Sequence, residues 1–366
     1  MTADPALSLH RLLGDDGSLV AEPRAELPAD TVRELYRQMR RVRRLDERMV
    51  QLQRQGRIGF YGACTGQEAA PIAAGLALAP ADWVFPALRE CALLLVRGFP
   101  LERYLAQLFG NDEDVLKGRQ MPSHMASRAQ RFVSWSSCIA TQLPQAVGAA
   151  MAARRLGRSD VVLAFLGDGA TSHPDFHAAM TFSGVFRAPV VFVCQNNQYA
   201  ISVPAARQTA SATFAIKARG YGVAPDRADG NDALAVFDAI RGALERAREG
   251  AGPTLLECVT YRIGAHSSSD DPSRYRDERE VEAWRARDPI ARLGRHLTRL
   301  GELSAEHETT LDRRVDAEID AALAAVEAAA PPPLQSLVDD VYAAPPWHLA
   351  EQRDEALRAG DSARRR

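Results

Sequence analysis

The chain has 366 residues, 46% of them hydrophobic and 25% charged, with 45 Lys and Arg against 47 Asp and Glu for a formal net charge of −2. That length allows one large α/β unit or two around a sizeable core, and the near-neutral balance gives no ground for nucleic acid or an acidic membrane as partner. The five scattered cysteines lack Cys-x-x-Cys spacing, the opening Met1 to Glu22 lacks a basic segment followed by an apolar run, and no stretch nears the ~20 apolar residues needed to cross a bilayer, so the reading is a cytoplasmic protein without a disulfide framework or zinc site.

In chain order, a leader punctuated by Pro23 and Pro28 precedes a helix that Asp30 can cap and Gly56 stops. Its apolar positions Val32, Leu35, Met39, Val42, Leu45, Met49 and Leu52 step by three and four, which buries one stripe and leaves Arg and Glu wet. The loop Gly59 to Glu68 leads into an Ala-rich helix, Ala69 to Leu78. Trp83-Val84-Phe85 reads as a short strand ending at Arg89-Glu90, where a structural ion pair and a functional arginine are equally admissible. Lys117 to His124 is too polar and too broken by Gly and Pro for regular structure, and such loops often carry function. Ser136 to Gln142 precedes a small-residue helix, Pro144 to Leu156. Its Ala146, Gly148, Ala149, Ala150, Ala152 and Ala153 either admit another subunit's helix very closely or are simply good helix formers.

The runs Val161 to Leu166 and Val190 to Cys194 are β-branched or aromatic enough to be buried parallel strands. The first ends on Gly167-Asp168-Gly169, the second on Asn196-Asn197. Open α/β sheets bind ligands beyond the carboxyl ends of their strands. A short acid flanked by glycines can hold Mg²⁺ there while the backbone approaches a phosphate, and Mg²⁺ takes one or two side-chain oxygens plus substrate phosphates and water. Each dipeptide alone is an ordinary turn; strand, loop, helix-length segment, strand and amide pair together are not. A helix from Leu234 to Arg248 and a strand from Thr254 to Val259 continue the alternation of a doubly wound parallel sheet. Ser304 opens a further helix with Leu311, Val315, Ile319, Leu323 and Val326 on one side, Pro331 to Pro333 end it, and Asp361 to Arg366 reads as a frayed, solvated end. The division expected is leader and helix over 1–55, an α/β domain over 56–300, and a helical tail over 301–366.

These motifs resemble the thiamine diphosphate enzymes, whose signature opens on Gly-Asp-Gly and closes on Asn-Asn. Thr260 to Arg276, with Gly118 to Pro122, Thr141 to Gly148, Asn196 to Ser202 and Pro346 to Leu349, is similar to the α subunit of 2-oxo acid dehydrogenase E1 components, most of all the branched-chain (2-oxoisovalerate) type, over nearly the whole chain. The resemblance implies an α/β, doubly wound parallel sheet of the thiamine diphosphate-binding fold with helical N- and C-terminal extensions. It implies Mg²⁺ held by Asp168, Asn197 and the Tyr199 carbonyl. Gly167 belongs to the same motif, the Gly169 and Ala170 amides would face the diphosphate, and Arg89 would grip it. Ser137 and, through its main chain, Ile139 would border the aminopyrimidine. Ser136, the Cys138 carbonyl, Thr141 and Gln142 match a monovalent-cation (K⁺) site. His266 matches the loop histidine that contacts the diphosphate side and assists acyl transfer, and an imidazole titrating near neutrality can donate to a phosphate or an oxyanion.

In this family the glutamate that engages the aminopyrimidine comes from a β subunit. The chain is therefore expected to be half an active site in an α2β2 heterotetramer, served by a lipoyl-bearing E2, with Glu68 a structural residue. The implied reaction is oxidative decarboxylation of small branched-chain 2-oxo acids with acyl transfer to lipoyl. Pyruvate and acetoin dehydrogenases share the cofactor motif, and a non-catalytic, cofactor-holding subunit is a third reading; a nicotinamide-binding fold is disfavoured because no Gly-x-Gly-x-x-Gly follows a first strand. Three departures stand out: Leu88 where a tyrosine is usual, so that Leu88→Tyr should restore a phosphate hydrogen bond; His173-Pro174 for Glu-Gly; and Ala265 for His or Pro. Ser267 matches a position phosphorylated in mitochondrial relatives and reads here as a packing or loop-capping residue. The run Ser267 to Asp271 has little apolar content to anchor it and is expected to be mobile without cofactor.

Overall fold

The computed structural model describes residues 4–267, 270–339 and 341–364. Helices α1 (Ala29–Arg54) and α2 (Ala69–Ala77) lead to β1 (Trp83–Phe85), then α3 (Leu93–Val96), α4 (Leu101–Phe109), α5 (Gln142–Arg155), β2 (Val162–Gly167), α6 (Pro174–Val185) and β3 (Val190–Asn196). A two-stranded ribbon, β4 (Tyr199–Ala200) and β5 (Val203–Pro204), precedes β6 (Ala224–Asp229), α7 (Ala233–Arg248) and β7 (Thr254–Val259). Helices α8 (Glu278–Arg285), α9 (Pro289–Arg299), α10 (Ala305–Ala328) and α11 (Trp347–Arg364) complete the chain. Among the described residues no helix is long and apolar enough to cross a membrane.

The sheet order is β1-β2-β3-β7-β6 and every pairing is parallel. Alternation along the strands feeds two cores, as a sheet covered on both faces requires. Val161, Leu163, Phe165, Val191, Val193, Leu256 and Cys258 pack with α1, α2, α4, α7 and α10. Val162, Ala164, Leu166, Val190, Phe192, Cys194 and Leu255 pack with α5 and α6. Gly167 is in register with Gln195, and Asn196 with Val259, so β2, β3 and β7 end level and deliver their following residues to one edge.

The doubly wound expectation is therefore met, with differences at the periphery. Asp30 does not cap α1: the residue before the helix is Pro28, and Asp30 lies in the first turn, exposed and paired to Arg33. Gly56, at φ 73°, does end the helix. The arginines of α1 are not merely solvated. Arg40, Arg44 and Arg48 meet Asp312, Asp316 and Asp320 of α10 at 2.7, 2.6 and 3.0 Å, so the four-residue spacing of both sets places the two helices side by side and parallel. Each such part-exposed pair contributes at most about 1 kcal/mol, but together they fix the axial register of the helices. In α5 the residues Ala146, Ala150 and Ala153 are spent on the molecule's own core, while Gly148 and Ala152 face outwards.

The leader is built into the fold. Ala6, Leu12 and Leu13 are fully buried, and His10 exchanges main-chain hydrogen bonds with Arg227 and Asp229 beside β6. The buried Asp232 carboxylate accepts the Leu12 and Leu13 amides at 2.7 and 2.6 Å and caps α7 through Leu234 and Ala235. Asp232→Ala would orphan four buried N–H groups, so it is expected to destabilise the chain by about 2–4 kcal/mol, read as a lower thermal midpoint of the assembled protein. Strand β6 escapes a hydrophobicity reading because Ala-Pro-Asp-Arg-Ala-Asp has no apolar run, and Pro225 is tolerated at a sheet margin. Helix α11 runs through Arg364 where the sequence reading has a frayed end from Asp361; the strong helix formers Leu349 to Arg358 account for it. Arg365 and Arg366 lie outside the described residues.

Candidate functional site

The site is assembled at the level edge of β2, β3 and β7. Strand β2 closes at Gly167, and Asp168 to Ser172 form a single 3₁₀ turn. Gly169 lies so near the β4 ribbon that an added Cβ would sit 2.6 Å from the Cβ of Ala200, so only glycine lets the turn pass. Asp168 is 1% exposed. Its Oδ2 accepts from Gln208 Nε2 at 2.7 Å, and the main-chain N–H of Asn197 also faces the carboxylate. Burial nevertheless raises its pKa to about 6. The side chain is a desolvated acid short of positive charge, which is what a divalent cation would relieve.

Asn197 is oriented unambiguously. Its Oδ1 accepts the Tyr199 amide at 3.3 Å, which only an oxygen can do, so Nδ2 is the atom that donates to Gln67 Oε1 at 2.9 Å. The Tyr199 carbonyl lies 3.5 Å from the Arg262 guanidinium. No group of three or more His, Cys, Asp or Glu suited to a metal occurs among the described residues. An ion here would therefore rely on Asp168, amide and carbonyl oxygens, and an anionic ligand. Among the described residues Gln67 Nε2, Gln208 Oε1 and Arg262 Nε are buried without a hydrogen-bond partner, which leaves polar valence for a bound group beside these residues.

Arg89 and Glu90 do not form the ion pair that was one of two expectations. The buried Arg89 donates to the carbonyls of Ala63 and, at 2.9 Å, His266, whereas Glu90 accepts from the Ala87 amide and Gln195. Among the described residues Arg89 has no salt-bridge partner. Burial, and then the nearby Arg262 charge, lower its pKa to about 10. Two guanidiniums held mainly by carbonyls form an electropositive, desolvated patch that favours a phosphate-like anion.

His266 departs from its expected titration. Burial, then Arg89 and Arg262, lower its pKa to about 4, so the imidazole is neutral at pH 7 and offers one N–H until an anion offsets those charges. The loop around it is better anchored than its composition suggests. Asp270 accepts from the His266 amide at 2.7 Å and from the Tyr275 hydroxyl at 2.5 Å, Arg262 donates to Tyr275 at 2.9 Å, and Arg276 grips the Arg262 and Ile263 carbonyls. Polar contacts replace the missing apolar ones; Ser268 and Ser269 lie outside the described residues.

Ser136, Ser137, Cys138 and Ile139 lie exposed before α5, Ile139 by 56%. Thr141 Oγ1 donates to the Cys138 carbonyl at 2.8 Å, which joins two of the four oxygens matched to a monovalent cation, and the Cys138 amide donates to Ser136 Oγ at 3.2 Å. Gln142 is buried and its Nε2 is committed to the Phe165 carbonyl at 2.8 Å. Glu68 is structural: fully buried, it binds Arg43 and accepts the Gly66 amide at 2.9 Å. His173-Pro174 is a helix start, with the imidazole accepting the Asp175 amide and proline at the first turn of α6.

The Leu88 side chain packs over Gly62, where an added Cβ would meet Leu88 Cδ1 at 2.9 Å. Leu88→Tyr is expected to tighten cofactor binding through the added hydroxyl and, because the position is packed, to cost about 1–3 kcal/mol of stability from overpacking, checked by calorimetry and thermal unfolding. The groups that sequence reasoning missed are Gln67, Gln208, Gln195 and Arg262. Only Arg262, directly beyond a buried strand, carried a local signal.

The family model described as "Dehydrogenase E1 component" matches residues 36–335. The chain is 43% identical over 361 residues to the 2-oxoisovalerate dehydrogenase subunit alpha of Pseudomonas aeruginosa, covering 97% of this chain and 88% of that protein. It is 45% identical over 306 residues to the 3-methyl-2-oxobutanoate dehydrogenase subunit alpha of Mycobacterium tuberculosis, covering 83% and 81%. To the mitochondrial 2-oxoisovalerate dehydrogenase subunit alpha of Homo sapiens it is 38% identical over 354 residues, covering 96% and 80%.

Proposed function

Because the chain belongs to the dehydrogenase E1 component family as a branched-chain 2-oxo acid dehydrogenase α subunit, we propose that it forms, with a β subunit in a cytoplasmic α2β2 particle, the Mg²⁺–thiamine diphosphate site that oxidatively decarboxylates 2-oxoisovalerate and passes the acyl group to a lipoyl-bearing E2. The observation that carries this reading is the buried Asp168–Asn197 pair sharing a sheet edge with Arg89, a buried guanidinium that has no carboxylate partner among the described residues.

Thiamine diphosphate supplies the carbanion chemistry when bound. Asp168, Asn197 and the Tyr199 carbonyl would hold Mg²⁺, and the 3₁₀ turn with its Gly169 and Ala170 amides would take the diphosphate beside Arg89. Ser137 and the Ile139 main chain would border the aminopyrimidine. Their exposure on the isolated chain supports a site closed by the partner, which would bring the glutamate that this chain lacks. His266, neutral until an anion arrives, would then donate towards the phosphate side and assist acyl transfer. Ser136, Cys138, Thr141 and Gln142 would form a K⁺ site that braces the start of α5.

The test is steady-state kinetics of the reconstituted α/β pair with 2-oxoisovalerate, pyruvate and acetoin, each with an artificial electron acceptor. The expected outcome is the highest kcat/KM for 2-oxoisovalerate. A clear preference for either other substrate would move the protein to that branch of the family, and the absence of turnover with all three would favour a non-catalytic subunit.

A further inference from the structure

We propose that His124 is a positioning residue for Ser137, fixing the serine hydroxyl as a hydrogen-bond acceptor towards the amine of the cofactor's aminopyrimidine. The inference rests on the thiamine diphosphate reading above.

His124 is 5% exposed, whereas the Ser137 side chain opens to the surface. The imidazole stacks on Trp135 with ring centroids 3.8 Å apart and planes 18° from parallel. That stack is itself pinned, because the Trp135 indole N–H and the Cys91 thiol both donate to the Ser123 carbonyl, at 2.5 and 3.0 Å. The ring's two nitrogens then have one partner each: Nδ1 lies 3.1 Å from the Pro122 carbonyl and Nε2 3.1 Å from Ser137 Oγ.

A carbonyl oxygen can only accept. A ring with a single N–H therefore carries that hydrogen on Nδ1, facing the Pro122 carbonyl, and Nε2 presents a lone pair, so the Ser137 hydroxyl is the donor in the second bond. With its single hydrogen directed inwards, Ser137 Oγ can offer only lone pairs outwards. A serine without that partner could rotate and either donate or accept. The buried histidine thus converts an adaptable hydroxyl into one that welcomes a ligand N–H and opposes a ligand carbonyl, and a primary amine on a pyrimidine ring has the matching polarity.

The experiment measures, by calorimetry on the α/β complex with Mg²⁺, the affinities for thiamine diphosphate and for the analogue in which the 4′-amino group is replaced by oxo. The unaltered complex is expected to prefer the amino form. His124→Phe, which keeps the aromatic stack, should reduce that preference about tenfold, the equivalent of one hydrogen bond. Ser137→Ala should reduce it similarly, and the double variant should match Ser137→Ala alone. A merely structural role would weaken both ligands alike, so an unchanged preference in either single variant would overturn the proposal. Failure of the unaltered complex to bind either ligand would instead remove the cofactor reading, and this inference with it.

Discussion

Asp168→Ala is expected to abolish Mg²⁺-dependent binding of thiamine diphosphate. Asp168 is the only carboxylate within the Gly167-Asp168-Gly169 and Asn196-Asn197 motifs that close β2 and β3, it is 1% exposed, and burial raises its pKa to about 6. Substitutions of groups that only support a metal's ligands cost roughly 10–100-fold in affinity, so loss of the carboxylate proposed to hold Mg²⁺ should cost at least on the order of a hundredfold. Asn197→Ala removes a neutral oxygen and should weaken binding less completely. Calorimetry on the assembled complex separates the two. Wild-type affinity in Asp168→Ala would dismiss the metal assignment, and because Gln208 donates to the same carboxylate, that result would leave the cluster as a purely structural hydrogen-bond network.

His266→Ala should lose acyl transfer to a lipoyl domain more severely than decarboxylation followed with an artificial electron acceptor. Positioned acid–base groups contribute about 10²–10⁴-fold, and His266 is held at the patch by Arg89 on its carbonyl and by Asp270 on its amide. The neighbouring Ser267 gives a second handle. Ser267→Glu places a negative charge beside the site of the cofactor's diphosphate, and repulsion should impair both half-reactions, whereas Ser267→Ala should be mild. Full acyl transfer by His266→Ala would reduce the loop to a structural flap.

The sheet, and the meeting of Asp168 and Asn197 at its edge, were legible because their signals are local. Buried parallel strands are continuous apolar runs, and Asp168 and Asn197 directly follow two of them. The polar edge strand β6 and the leader were not legible, since each is ordered by a partner distant in sequence: β7 along one, and the Asp232 carboxylate beneath the other. Distance in sequence also hid Gln67 and Gln208, ordinary loop glutamines until the fold brings them to Asn197 and Asp168. The electrostatics of His266 were misjudged for the same reason. Its depressed pKa comes from burial and from Arg89 and Arg262, and Arg89 lies just beyond β1, far from His266 in sequence.

As one half of the proposed branched-chain 2-oxo acid decarboxylating site, this chain should be inactive until its β subunit completes it. Release of CO₂ from 2-oxoisovalerate should be measured for the chain alone and for the chain mixed with its β subunit, each with saturating thiamine diphosphate, Mg²⁺ and an artificial electron acceptor. The account predicts no release above a cofactor-only blank from the chain alone and sustained turnover from the pair. Turnover by the isolated chain, or none by a correctly assembled pair, would contradict it.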